Sequence, residues 1–168
     1  IHLDNYEEST QYEEEQEIAM INNNIRQPVV EWAKNQGMLL RRLKSDRFFV
    51  VLNERIFKQI VDERFSILAQ TRKASQQLDV AITLSMGFAR GSSDVAQLDE
   101  MVNQLLELAQ SRGGDQVAIR RQGEDVKYFG GSSEAQEKRS RVRVRIMAHT
   151  LRDLIKKSTN VILLGHKE

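Results

Sequence analysis

The four consecutive residues Lys44-Ser45-Asp46-Arg47 hold the densest functional chemistry in the sequence, at the break between two apolar runs, Met38 to Leu43 and Phe48 to Leu52. An aspartate at such a break, followed by an arginine, could ligate a hard divalent ion or contact a phosphate. Ser and Asp also bond back to their own backbone and are common turn formers, so the local sequence leaves both readings open. Lys138 to Arg145 forms a second charged stretch, in which Arg141, Arg143 and Arg145 alternate with valines. No aromatic side chains interleave with these arginines to stack bases, so nucleic acid is not an expected partner. His149, on the same stretch, reads as an interface residue rather than a ligand.

The apolar runs around the Lys-Ser-Asp break are rich in Leu, Phe and Val, which fit a pleated surface, and they predict a β-hairpin with Asp46 at its tip. Ile1 to Asp4 predicts a short strand, and Asn5 to Glu17 a helix or a helix with a loop. Asn22, Asn23 and Asn24 offer N-caps for a helix from Ile25 to Gln36, with Val29, Trp32 and Ala33 on its inner face and Gly37 as its stop. Asn53 predicts the cap of a helix carrying Ile56, Ile60 and Val61, with a restart around Phe65. Val80, Ile82 and Leu84 alternate as a half-buried strand ending at Gly87. Leu98, Met101, Val102, Leu105, Leu108 and Ala109 recur at helical spacing after Ser92-Ser93-Asp94, and Gly113-Gly114 closes that helix. Val117 to Arg120 and Val126 to Phe129 predict a terminal hairpin. The expected class is α+β: a ferredoxin-like palm with an antiparallel-centred sheet and helices, over 1–130. Gly130 to Ser133 reads as a linker, Glu134 to Lys157 as one basic helix and Asn160 to Gly165 as a strand that needs a sheet elsewhere.

At 168 residues and 40% hydrophobic composition, the chain can bury one substantial core. Its 25 basic and 24 acidic residues leave a net charge of +1, so no global field drives it to a polyanion. The charge is segregated, with acids early at Glu13-Glu14-Glu15 and bases late, which hints at two units. Without cysteine there is no thiolate nucleophile, disulfide or cysteine-held zinc. No apolar run approaches the roughly 20 residues that span a bilayer. The abrupt first strand and the last strand both read as cut ends.

Leu43-Lys44-Ser45-Asp46-Arg47-Phe48 resembles, in position and register, the hairpin signature of the GGDEF domains of diguanylate cyclases. Leu3-Asp4-Asn5-Tyr6, Leu84-Ser85-Met86-Gly87 and Leu108 to Val117 resemble that family's first strand, its Ser-Ile-Gly strand and its last helix and turn. With Arg112-Gly113-Gly114-Asp115-Gln116-Val117 and Lys138 to Arg143, the whole chain resembles the GdpP/YybT family. That family's members are membrane-anchored bacterial proteins with a PAS domain, a degenerate GGDEF domain and a DHH/DHHA1 phosphodiesterase for cyclic di-AMP. The resemblance implies a degenerate GGDEF domain over 1–130, and over 131–168 a linker helix with the first strand of a truncated DHH domain. In Val161 to His166, His166 would begin a manganese motif whose aspartates lie beyond Glu168.

The resemblance also implies which chemistry is lost. The first-strand metal aspartate of the cyclases falls on His2, and Asp4 matches the structural aspartate of that strand. Asp46 keeps one hairpin acid, whereas Arg47 replaces the next. A dication about 4 Å from Arg47 would be repelled by several kcal/mol at an effective dielectric of about 20. The guanine-reading positions fall on Thr10 and Met20, the phosphate-holding ones on Gln110 and Gly114, and the product-inhibition site on Asn35 to Met38. Cyclase activity is therefore not expected. A nucleotide such as ATP, bound through Lys44, Ser45, Asp46 and Arg47 with a contribution from Arg112, is the implied ligand. Magnesium or manganese would accompany it, with Asp46 as a metal contact, and weak ATP hydrolysis is the implied residual activity. The implied partners are the rest of its own PAS and DHH/DHHA1 domains and a second copy in a homodimer, at the cytoplasmic side of the membrane. A purely structural dimerisation module is the bland alternative.

Overall fold

The structure, a computed structural model, describes residues 1–130 together with Arg152 and Lys156, both helical. The linker helix, the last strand and His166 otherwise lie outside the described residues. Strand β1, His2–Asp4, is followed by α1, Tyr6–Thr10, and by α2, Glu15–Ile21. A π-helical turn, Asn22–Arg26, runs without interruption into α3, Gln27–Asn35. Asn22, Asn23 and Asn24 are therefore not N-caps. The helical path passes through them because it keeps Ile21, Ile25, Val29, Trp32 and Ala33 buried along one side, and that burial outweighs their capping tendency. The helix starts instead at a capping box, in which the backbone of Glu14 donates to the Glu17 carboxylate. Gly37 ends α3 at φ +83, a conformation that favours glycine.

The expected hairpin is β2, Leu39–Arg42, and β3, Phe48–Val51, paired Leu39 to Val51 and Arg42 to Phe48. The Asn53 side chain caps α4, Glu54–Asp62, by accepting from Ile56 N at 3.0 Å, and α5 covers Ser66–Gln77. Strand β4 spans Thr83–Arg90, so it starts and ends later than the alternation suggested and is buried over its first six residues. Gly87 lies inside it. A Cβ there would meet Val102 O at 2.8 Å and Leu106 N at 2.9 Å, so this glycine lets the helix backbone lie against the strand and is no stop. That helix, α6, Val95–Ser111, is capped by the Asp94 carboxylate and leads into β5, Gln116–Arg121, and β6, Lys127–Gly130.

The main sheet runs β1-β4-β5-β6 and is mixed: β1 to β4 and β5 to β6 are antiparallel, whereas β4 and β5 are parallel across the α6 crossover. The hairpin is stitched onto β1 by Leu3 N to Asp46 O at 2.8 Å and Phe48 N to Ile1 O at 2.9 Å. One large core, including Leu3, Ile25, Val29, Phe48, Ile60, Phe65 and Leu84, involves α2 to α5. A smaller one, of Met101, Leu105, Ala109 and Ala118, holds α6 to the sheet. This is the expected palm-like α+β arrangement, and its β1 end carries the hairpin tip.

Candidate functional site

The bond from Leu3 N to Asp46 O fixes the hairpin tip beside the first strand and brings Asp46 to His2. Asp46 Oδ2 lies 3.7 Å from His2 Nδ1. Burial is the main force holding the His2 imidazole below its ordinary value of 6.5; Asp4 and Asp46 pull it up and Arg47 pushes it down further. The imidazole is thereby biased to its neutral form despite two neighbouring carboxylates.

Asp4 sits deeper. Its Oδ2 accepts from Thr83 Oγ1 at 2.9 Å, Ser85 Oγ at 2.8 Å and Asp115 N at 3.2 Å. Three donors from β4 and the turn after α6 converge on one oxygen, which makes Asp4 a buckle between β1 and the rest of the sheet. Gly114, at φ +75, permits this: a Cβ there would stand 2.5 Å from Asp4 Oδ2. Asp115 is 1% exposed, adopts φ +56 and receives Arg72 Nε at 2.9 Å, so α5 also supports the turn.

Above these residues lies a pocket of about 240 Å³ lined by His2, Asp4, Asn5, Tyr6, Glu7, Glu8, Asp46 and Gln110. Asp4 Oδ1, Asp46 Oδ1, His2 Nδ1 and Arg47 Nε are buried without a hydrogen-bond partner. Leaving such groups unsatisfied costs about 1–3 kcal/mol each, so these atoms are expected to bind water or another polar group. Lys44 and Ser45 are exposed on the turn and do not line the pocket, and Arg47 is half-buried beside it. Of the four sequence-predicted binding residues, only Asp46 enters the cleft wall. Gln110 lines it as well, Gly114 serves the Asp4 seat, and Met20 is half-exposed on α2. Arg112 is turned elsewhere, over the Tyr128 ring at 4.1 Å.

This donor set does not fit a protein-held pair of metal ions. One oxygen of Asp4 is committed to three donors, Arg47 stands beside Asp46, and among the described residues no group of three or more His, Cys, Asp or Glu side chains is placed to hold an ion. Asp46 remains able to offer one carboxylate contact to an ion carried by a ligand's phosphates. Sequence reasoning missed the Glu7 and Glu8 wall and the Arg72 to Asp115 support. The adjacent glutamates directly after Asp4-Asn5 were the available signal for the wall; the ion pair joins residues 43 positions apart and had none.

Residues 1–127 match the family described as "Cyclic-di-AMP phosphodiesterase GdpP-like, GGDEF domain". The chain is 42% identical over 167 residues to the cyclic-di-AMP phosphodiesterase GdpP of Geobacillus thermodenitrificans and 40% identical to the GdpP of Bacillus subtilis. It is 35% identical to the cyclic-di-AMP phosphodiesterase PdeA of Listeria monocytogenes. Each match covers 99% of this chain and 25% of the relative, so the chain spans about a quarter of the length of these curated relatives. No solved structure matches significantly.

Proposed function

The chain belongs to the GdpP-like GGDEF family, and on that premise we propose that it is the regulatory, degenerate GGDEF domain of a cyclic-di-AMP phosphodiesterase. In this reading it makes no cyclic di-GMP, binds a nucleotide such as ATP at the β1 and hairpin cleft, and passes the occupied state to a DHH/DHHA1 phosphodiesterase unit through residues 134–157. The longer protein is membrane-anchored, with this domain on the cytoplasmic side. The observation that supports the reading is the corner of unpartnered Asp4 Oδ1, Asp46 Oδ1, His2 Nδ1 and Arg47 Nε, which suits a ligand bearing both donors and acceptors. With Glu7 and Glu8 also on the wall, a triphosphate enters this pocket only with its charge neutralised by magnesium or manganese. Asp46 contacts that ion, and Arg47, half-buried beside the pocket, meets the phosphates from the turn.

The test is a thermal-shift panel over ATP, GTP, cyclic di-AMP and cyclic di-GMP, with and without magnesium or manganese. A ligand at about 100 times its dissociation constant stabilises by about 2.7 kcal/mol, or roughly 5–10 °C for a chain of this size. The expected result is such a shift with metal and ATP, abolished in Asp46→Ala. The absence of a shift with any nucleotide would overturn the reading. Asp46 with its free Oδ1 also favours a slow ATP hydrolase as a second reading, in which Asp46→Ala removes phosphate release; unchanged release would exclude it.

A further inference from the structure

Eight large apolar side chains among the described residues are exposed, and four of them, Leu39, Leu43, Phe49 and Val51, lie on the β2–β3 hairpin. They share one face of it. Leu39 pairs with Val51 and Arg41 with Phe49, cross-strand partners share a face, and Leu43 continues the alternation of Leu39 and Arg41. Leu39 is 74% exposed, Leu43 56%, Val51 51% and Phe49 40%. The opposite face sends Phe48 into the core and packs Leu40 and Val50 against it. The hairpin is therefore apolar on both sides, and only one side is covered.

Its charges carry one sign. From Met38 to Asn53 the sequence holds Arg41, Arg42, Lys44 and Arg47 against one acid, Asp46. Asp46 is buried and lines the cleft, so the exposed charges, Arg41, Arg42 and Lys44, are all cationic. None of these three side chains is paired with an acid among the described residues. An apolar face ringed by unpaired cations fits a partner that offers an apolar phase and negative acceptors together. The pleat presents protruding side chains rather than a groove, and its four exposed apolar residues line no part of the cleft. Arg41 and Arg42, adjacent on β2, also hinder a further strand along that strand's free edge. Lipid headgroups supply phosphate oxygens at no fixed geometry, which long, flexible cationic side chains can follow, and the layer beneath them accepts Leu, Phe and Val.

We propose that the exposed face of the β2–β3 hairpin is a docking surface for an anionic lipid bilayer. Leu39, Leu43, Phe49 and Val51 enter the boundary between headgroups and acyl chains, and Arg41, Arg42 and Lys44 stay among the headgroups. The apolar residues supply the buried area and the cations the preference for an anionic surface. The contact stands independently of any nucleotide and of any anchor elsewhere in a longer protein.

Cosedimentation of the 168-residue chain with vesicles of phosphatidylcholine, alone or with about 30% phosphatidylglycerol, tests it. The expected result is binding at least about tenfold tighter to the anionic vesicles, weakened at least about tenfold between about 0.05 and 0.5 M salt. Each basic side chain near an anionic surface contributes about fivefold, so Arg41→Glu with Arg42→Glu weakens binding at least about tenfold. Arg41→Lys with Arg42→Lys keeps it within about threefold. Leu39→Ser with Phe49→Ser, at exposed sites, weakens it at least about fivefold with the charge unchanged. Arg121→Glu with Lys127→Glu, at exposed sites on β5 and β6, changes the net charge equally and leaves binding within about threefold. Equal losses from the two reversed pairs would place binding on net charge or on the stretch Lys138 to Arg145, and would overturn the proposal. So would a chain that ignores anionic vesicles, binding indifferent to the two serines, or a hairpin-dependent dimer that binds no vesicle.

Discussion

Replacing Gly114 by alanine tests whether Asp4 is the buckle of the fold. The substitution has two costs. At φ +75 an alanine is strained by about 1–2 kcal/mol, wherever it stands. Its Cβ would also lie 2.5 Å from Asp4 Oδ2, closer than such atoms approach, so the carboxylate must leave the point where Thr83, Ser85 and the Asp115 amide converge. Hydrogen bonds to a charged acceptor contribute about 1.5–3 kcal/mol each, and losing one raises the total to about 2.5–5 kcal/mol. Gly123 provides the control. Its φ is +80 and no atom lies within 4 Å of a Cβ built there, so Gly123→Ala carries the strain alone, about 1–2 kcal/mol. Urea unfolding of both variants reads the difference, expected at about 1.5–3 kcal/mol. A difference under about 0.5 kcal/mol, within what surface substitutions produce, would refute the seat as described.

Two further perturbations follow from the same corner. Because burial lowers the folded His2 value below 6.5, the unfolded chain binds a proton before the folded one does as pH falls. His2 stabilisation is therefore complete above about pH 6.5 and is lost toward the lowered folded value; melting temperatures from about pH 8 to 5 should fall less steeply in His2→Gln than in the native chain. Arg72→Met removes the guanidinium from the fully buried Asp115 while keeping the stem's packing. Breaking a buried pair costs about 3–5 kcal/mol, and the partial exposure of Arg72 reduces this to about 2–3 kcal/mol in urea unfolding; a loss below about 0.5 kcal/mol would show that Asp115 is held by its other contacts.

The parts of the fold that could be read from sequence are those with a local cause. The caps at Asn53 and Asp94, the repeat of apolar residues along α6, and the two hairpins each follow from residues within a few positions of one another. The Asn22-Asn23-Asn24 stretch misled because capping tendency is local, whereas the burial of Ile21 and Ile25 that keeps the helix running is tertiary. Gly87 misled for the same reason, its purpose being a helix met only after the chain turns back. At the site, the hairpin acid was legible and its surroundings were not. That Asp46 would face His2, and that Lys44 and Ser45 would point away, depends on the register of the hairpin against β1. No pattern inside either segment encodes that register.

The Asp4 seat also bears on the order in which the chain acquires its shape. The strand, helix and strand from Thr83 to Arg121 assemble from neighbouring sequence, whereas the bonds that hold Asp4 join residues 79, 81 and 111 positions apart. Closing loops of that span costs conformational entropy before any contact compensates, so β1 joins a sheet edge that already exists. The cleft is thus among the last parts of the domain to form. During synthesis, the Asp4 seat stays incomplete until Asp115 has left the ribosome.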